Sequence, residues 1–187
     1  MAGGTALGLA ADGLRAGAGR IARIVRTPAL WCTLVVALAV TADAVTKSWA
    51  LARLSHGREL TLPGGLVRLQ LAINHGASLG LGARYEPLLA AVAFIGVIVF
   101  GTWAARAAGS LERLGAALAT AGAAGNLIDR LTRPPAPLRG GVVDWLHVWF
   151  YGPTFNLADV WLRGGLLIAV VGWLWQHRAP APRHRRS

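Results

Sequence analysis

The sequence predicts an all-α integral membrane protein with four transmembrane helices, a small extracytoplasmic amphipathic β-sheet and a short interfacial helix. Three observations support this fold class. The 187 residues are 55% hydrophobic and only 14% charged, which leaves too few solvating side chains for an ordinary soluble domain. Four apolar segments approach the length that crosses a bilayer. One segment between the first two changes to the alternating pattern of a strand.

Each apolar segment is close to the roughly 20 residues that span a bilayer core. The segments run from about Pro28 to Ala50, from Pro87 to Ala105, between Arg113 and Arg130, and from about Asn156 to Gln176. The third contains small residues that suit close helix packing in lipid, at Gly115, Ala119, Gly122 and Gly125. We therefore expect one four-helix membrane domain, residues 28–177.

The loop between the first two helices contains a candidate β segment, residues 58–76. Apolar residues recur at every second position from Val67 to Ile73, after a Pro-Gly-Gly turn at 63–65. Strict alternation predicts a half-buried strand, and Leu60 and Leu62 before the turn supply a candidate hairpin partner. A plain extracytoplasmic loop is the alternative interpretation.

A short interfacial helix is predicted from Asp144 to Tyr151. Its lipid-facing residues would be Trp145, Leu146, Val148 and Trp149. Gly152 and Pro153 interrupt the chain before the fourth helix, so an acid at position 144 must meet the fourth helix through a loop.

The net charge of +11 is distributed in a way that indicates topology. With the N-terminus inside, ten of the 19 basic residues but only two of the eight acidic residues lie on the cytoplasmic side. The positive-inside rule therefore places both termini in the cytoplasm. The charge also favours contact with anionic phospholipid, and nucleic acid is not expected as a partner.

The chain ends and the single cysteine carry little chemistry. Residues 1–27 are expected to form a flexible basic cytoplasmic extension and residues 178–187 a basic cytoplasmic tail; a cleaved signal peptide is the less favoured interpretation. Cys32 excludes an internal disulfide. Trp31 stands where a lipobox has a small residue, so Cys32 is interpreted as a core residue and not as a lipidation site. The five histidines form no HExxH or similar cluster, so no metal or cofactor is expected.

Unusual polar residues occur wherever a helix is expected to reach the outer side. The clusters are Asp43 with Lys47, Asn74 to Ser78, Gly125 to Arg130, and Asn156 to Asp159. Because ionisable groups at membrane depth are expensive, four clusters on one side predict a shared site. Interfacial snorkelling and helix capping are the alternative explanation for any single pair.

Asp144 and Asp159 are the best candidates for chemistry. Two carboxyl groups brought together at low dielectric cannot easily both ionise, so one keeps a proton, which suits acid–base hydrolysis of a peptide. Asn156 resembles an N-cap and places Asp159 in the first turn of the fourth helix, where the helix dipole and Arg163 favour a negative charge. Asp159 is therefore predicted to be the resting carboxylate and Asp144 the acid.

Five short blocks occur in order along residues 28–177. They are Asp43-Ala-Val-Thr46-Lys47, Asn74-His-Gly76-Ala77, Gly125-Asn126-Leu-Ile-Asp129-Arg130, Val143-Asp144 and Phe155-Asn156-Leu-Ala158-Asp159. In order and topology these blocks resemble the motifs of the bacterial lipoprotein signal peptidase family, also called signal peptidase II.

The resemblance implies an intramembrane aspartyl endopeptidase of the bacterial cytoplasmic (inner) membrane, with its site near the extracytoplasmic face. It implies cleavage of diacylglyceryl-modified prolipoproteins on the N-terminal side of the lipidated cysteine, inhibition by globomycin, no metal or cofactor, and action as a monomer. By position, the implied catalytic pair is Asp144 and Asp159. The implied substrate-binding or orienting residues are Asn74, Gly76, Asn126 and Arg130. The implied supporting residues are Asp43, Lys47, Asp129 and Asn156.

Some positions depart from the family pattern. Leu79 stands where an aromatic residue is usual, Trp145 replaces a common Phe, and a proline-containing insert spans residues 133–141. These differences concern loop geometry and substrate preference. A presenilin-like protease is disfavoured because the Gly-x-Gly-Asp motif is absent. A non-enzymatic membrane protein, with the charges as a structural network, remains the alternative from another class.

Overall fold

The computed structural model describes residues 28–76, 85–135 and 137–178. Its helices are α1 (Pro28–Arg53), α2 (Glu86–Arg106), α3 (Ser110–Thr132) and α4 (Leu157–Gln176). Its strands are β1 (Glu59–Thr61), β2 (Val67–Asn74) and β3 (Val142–Val148). The four predicted helices are confirmed as helices, with ends within about three residues of the expected positions. The predictions for residues 1–27, for positions 77–79 and for the tail beyond residue 178 lie outside the described residues.

Helix α3 forms the centre of the bundle because its small residues let the other helices approach closely. A β-carbon added at Gly122 or Gly115 would overlap the backbone of α4. On the opposing surface, a β-carbon at Gly165 would lie 2.5 Å from the backbone nitrogen of Ala119. The two backbones are therefore in direct contact, which is the packing that the small-residue pattern predicted.

Three of the described helices, α1, α2 and α4, are long and apolar enough to cross a membrane. Helix α3 is not one of them. It carries two acids and two bases, and its remaining residues are largely alanine and glycine, so its mean hydropathy is lower than that of its neighbours. Of the four spans expected from the sequence, three are therefore found as candidate spans, and they surround a more polar central helix.

The sheet is antiparallel, with strand order β1-β2-β3. Leu60 lies opposite Leu69 across the predicted hairpin. The turn between them contains Gly64 and Gly65 at φ values of 90° and 72°, a left-handed conformation that glycine adopts without steric cost. The predicted β segment is confirmed, and the plain-loop alternative is wrong.

The predicted interfacial helix from Asp144 to Tyr151 is wrong, because residues 142–148 form strand β3. Strand β2 pairs with β1 along one edge only, and a helix at these positions would leave the other edge without hydrogen-bond partners. β3 supplies those partners, with Val67 opposite Val148 and Asn74 opposite Val142. The valines of β3 also suit a strand better than a helix.

The sheet caps the end of the bundle at which α1 and α3 finish and α4 begins. The Lys47 ammonium of α1 lies 2.9 Å from the Asp129 carboxylate of α3. The Ala158 N–H at the start of α4 donates to Asp43 of α1 at 2.9 Å. Trp49 and Trp145 stack edge to face with ring centroids 6.0 Å apart, so α1 also contacts β3. The polar residues of the predicted clusters therefore lie together at this end of the bundle.

Candidate active site

Asp144 lies on β3 and is 1% exposed. Its two carboxyl oxygens accept from different amides: Asn156 Nδ2 donates to Oδ1 at 2.7 Å, and Asn74 Nδ2 donates to Oδ2 at 3.0 Å. Burial, followed by the nearby charge of Asp159, raises the pKa of Asp144 to about 7. The hydrogen bonds from Asn74 and Asn156 oppose that rise because they favour the ionised form.

Asp159 lies in the first turn of α4, where Asn156 is the N-cap. The Asn156 side-chain oxygen accepts from the Asp159 backbone N–H at 2.9 Å, so the capping predicted from the sequence is confirmed. Asn126 of α3 donates its Nδ2 to Asp159 Oδ1 at 3.0 Å. The carboxyl group therefore lies at the positive end of the α4 dipole and accepts from a neutral amide.

Two asparagine amides connect the carboxyl groups. Asn156 Nδ2, which donates to Asp144, also lies 3.1 Å from Asn126 Oδ1, and the Asn126 amide in turn donates to Asp159. Both acids line one cavity of about 390 Å³. The network orients both acids by groups from β2, α3 and the start of α4, and the cavity gives a substrate access to both.

Lys47 forms the centre of a second, adjoining network. Its ammonium lies 2.7 Å from Asp43, 2.9 Å from Asp129 and 3.2 Å from Asn126 Oδ1. Asp129 also accepts the Val143 backbone N–H at 3.1 Å. One buried ammonium thus bridges two buried carboxylates, and the carboxylates hold the backbones that carry Asp144 and Asp159.

Arg130 and Asn74 hold the residues that follow β2. Arg130 Nη2 donates to the Gly76 carbonyl at 2.6 Å, and the Gly76 N–H donates to Asn74 Oδ1 at 2.9 Å. Arg130 Nη1 is buried without a hydrogen-bond partner among the described residues, and Arg130 lines the cavity. Nη1 therefore offers hydrogen-bond donors to a ligand that enters the cavity.

The structure brings together all ten site residues that the sequence predicted, within the two networks and the cavity wall. It adds residues that the sequence analysis missed. Arg133 donates to Asp129 at 2.6 Å, a pair whose spacing of four residues on α3 was a usable signal. Tyr151 also lines the cavity, but no local pattern indicated a place in the site for it.

The cavity is polar at one end and apolar along its length. The carboxyl groups, Asn74 and Arg130 lie at the end beside the sheet. Much of the apolar wall comes from α2 and α4, at Leu89, Val92, Ala93, Gly96, Phe100, Leu162 and Leu166. A ligand that fills it would need a polar group beside an extended apolar segment.

Among residues 28–76, 85–135 and 137–178, no group of three or more His, Cys, Asp or Glu side chains could hold a metal ion. The two best-placed extra carboxylates, Asp43 and Asp129, are bound to Lys47.

Solved structures share this fold. A bacterial membrane enzyme determined at 2.3 Å resolution superposes with a TM-score of 0.70 over 81% of this chain and 92% of that chain, at 24% sequence identity. A second bacterial membrane enzyme, at 1.9 Å resolution, gives a TM-score of 0.65 over 76% of this chain and 92% of that chain, at 25% identity. The fold and the apolar helices define a helical membrane protein with a small antiparallel sheet at one end of the bundle.

Sequence comparison assigns the family. A model described as signal peptidase (SPase) II matches residues 35–175. The lipoprotein signal peptidase of Mycobacterium leprae (strain Br4923) is 37% identical over 138 residues, which are 73% of this chain and 68% of the relative. That of Bifidobacterium longum subsp. infantis is 34% identical over 138 residues, 73% of this chain and 74% of the relative. The chain belongs to the signal peptidase II family, as its motifs indicated.

Proposed function

We propose that this protein is an aspartic endopeptidase that removes the signal peptide from diacylglyceryl-modified prolipoproteins, cutting on the N-terminal side of the lipidated cysteine. The observation that carries the proposal is the placement of Asp144 and Asp159 in one cavity, joined by the Asn156 and Asn126 amides. Membership of the signal peptidase II family supports it.

The two acids take different roles because their surroundings differ. Asp144 is protonated below about pH 7, because its pKa is raised to about 7. Asp159, at the helix N-terminus, acts as the carboxylate. It takes a proton from water as the water oxygen attacks the scissile carbonyl, while Asp144 donates a hydrogen bond to the developing oxyanion. When the C–N bond breaks, Asp159 returns its proton to the amine of the lipidated cysteine.

The polar wall would orient the peptide. Arg130 Nη1 and the amides of Asn74 and Asn126 present donors beside the carboxyl groups, and the Gly76 backbone is held by Asn74 and Arg130. The supporting residues Asp43, Lys47, Asp129 and Asn156 keep the two acids in place. The apolar length of the cavity suits the apolar segment of a signal peptide, which precedes the cleavage site.

Membrane placement follows from the same features. We propose that α3 crosses the bilayer together with α1, α2 and α4, because its polar residues are buried against its neighbours. Both termini would lie in the cytoplasm and the sheet at the extracytoplasmic face of the inner membrane, in accordance with the distribution of basic residues. All ten candidate site residues belong to one chain and meet within it, which supports a monomer as the active form.

The test is conversion of a purified diacylglyceryl-modified prolipoprotein to a shorter product by the detergent-solubilised protein. Asp144→Asn and Asp159→Asn should each reduce kcat by at least about 100-fold, the lower end of what general acid–base catalysis contributes. Glu59→Gln, on an exposed strand residue, is the matched control and should retain activity. Globomycin should inhibit the unaltered protein. Full activity of either aspartate variant would exclude the mechanism.

A further inference from the structure

A second groove adjoins the candidate active site. It has a volume of about 300 Å³ and lies between the end of β3 and the first two turns of α4. Asp159 and Arg163 lie at its border with the site. Its apolar walls come from Val148, Phe150, Tyr151, Phe155, Val160 and Gly164.

A thin wall of side chains separates this groove from the main cavity. Tyr151, Phe155, Asp159 and Arg163 line both spaces. Arg163 donates to the Tyr151 hydroxyl at 2.5 Å, and its guanidinium carbon lies 5.5 Å from the centre of the Tyr151 ring. Tyr151 also stacks edge to face on Phe155. The groove therefore begins directly beside the candidate catalytic carboxylate.

Opposite faces of α4 line the main cavity and the groove. Leu162 and Leu166 line the main cavity, whereas Val160 and Gly164 line the groove. Each pair is spaced by four residues and so occupies one face of the helix. The two apolar spaces thus diverge from a common point at Asp159.

We propose that the groove binds an acyl chain of the substrate's diacylglyceryl group, an inference that rests on the proposed function. The lipid is attached to the residue that immediately follows the scissile bond, so its glyceryl carbons must lie close to the catalytic carboxyl groups. The substrate has one apolar part on each side of that bond, and the site offers one apolar space on each side of Asp159. The apolar walls suit a hydrocarbon chain. The Arg163 guanidinium can donate to an ester carbonyl at the entrance.

Gly164 permits a direct test. A β-carbon at this position would meet no atom within 4 Å and Gly164 lines the groove, so Gly164→Phe introduces a ring there from a position with free space. Two lipobox peptides would be compared, one carrying a dipalmitoylglyceryl group and one carrying a diacetylglyceryl group on the cysteine. We expect Gly164→Phe to raise KM at least tenfold for the dipalmitoyl peptide and less than threefold for the diacetyl peptide. Leu167→Phe, at a position that is 67% exposed on α4, is the control and should change neither.

An equal change for both peptides, or no change for either, would overturn the proposal. Photo-cross-linking then locates the chain independently of turnover. A dipalmitoyl peptide with a diazirine near the ester end of one chain should label Phe150 or Val160 in the full-length protein, and Gly164→Phe should abolish this labelling. Labelling confined to Leu89–Phe100 of α2 would refute binding of the acyl chain in the groove. Failure of the unaltered protein to cleave either peptide would count against the proposed function instead, because the cross-link position still decides where the chain binds.

Discussion

Replacing Asn74 with alanine removes one of the two amide groups that donate to the Asp144 carboxyl. That hydrogen bond favours the ionised form and so lowers the pKa of Asp144. A hydrogen bond to a charged group contributes about 1.5–3 kcal/mol, and one pKa unit corresponds to about 1.4 kcal/mol. Asn74→Ala should therefore raise the pKa of Asp144 by about one to two units.

The sign of this effect on activity follows from the role of Asp144 as the acid. Its protonated form is the active one, so kcat/KM falls as the pH rises through its pKa, which is about 7 in the unaltered protein. In Asn74→Ala the alkaline fall should move to higher pH, even though the maximal rate decreases. The assay is kcat/KM for a lipidated peptide between pH 5 and pH 10, at fixed detergent concentration.

Gln70→Ala is the matched control for this measurement. Gln70 lies on the same strand, but its amide donates to Thr154 at 2.9 Å and to neither candidate catalytic acid. It should leave the position of the alkaline fall unchanged. An alkaline fall that stays in place or moves to lower pH in Asn74→Ala would refute the assignment of Asp144 as the acid.

Three further variants test what holds the site and the bundle together. Lys47→Met leaves the buried Asp43 carboxylate without its cation and removes one of the two cations that contact Asp129. It should lower the free energy of unfolding by about 3–5 kcal/mol; an unchanged thermal midpoint in detergent would contradict this. Gly165→Ala places a methyl group against the α3 backbone and should lower the free energy of unfolding by about 1–3 kcal/mol. Gly164→Ala meets open space and should not lower it in the same melting assay, because alanine is the better helix former. Glu112→Ala removes the acceptor of two hydrogen bonds at the opposite end of the bundle and should lower the free energy of unfolding by about 1–3 kcal/mol. Glu112→Gln should lower it less, and neither variant should alter the pH profile of kcat/KM.

Much of the candidate site could be predicted because its residues are conspicuous in an apolar chain. A charge such as Asp43 or Lys47 near the end of an apolar helix is costly unless it is paired, so its presence alone indicates a partner. The spacing of four residues between these two identified that partner, and the structure confirms the pair at 2.7 Å. Arg133 carried the same signal relative to Asp129 and was missed.

The segment from residue 142 to 148 could not be assigned from its own pattern. Its mixture of valines and aromatic residues is compatible with an interfacial helix or with a strand. The exposed edge of β2 decided between them, since the pairing of Asn74 with Val142 and of Val67 with Val148 satisfies backbone groups that a helix would leave open. That edge is distant in sequence, so a prediction from residues 142–148 alone could not take it into account.

The sequence by itself determined where the helices lie and which of their ends are polar, because hydrophobic periodicity and the cost of buried charge are local properties. The ten candidate site residues came from the family resemblance of its motifs. Only the tertiary structure decided that one lysine serves two carboxylates, that Asn126 and Asn156 link Asp144 to Asp159, and that a side groove opens beside Asp159. These arrangements depend on the packing of distant elements. The close approach of α3 and α4, which their glycines allow, places Asn126 within hydrogen-bond distance of Asp159.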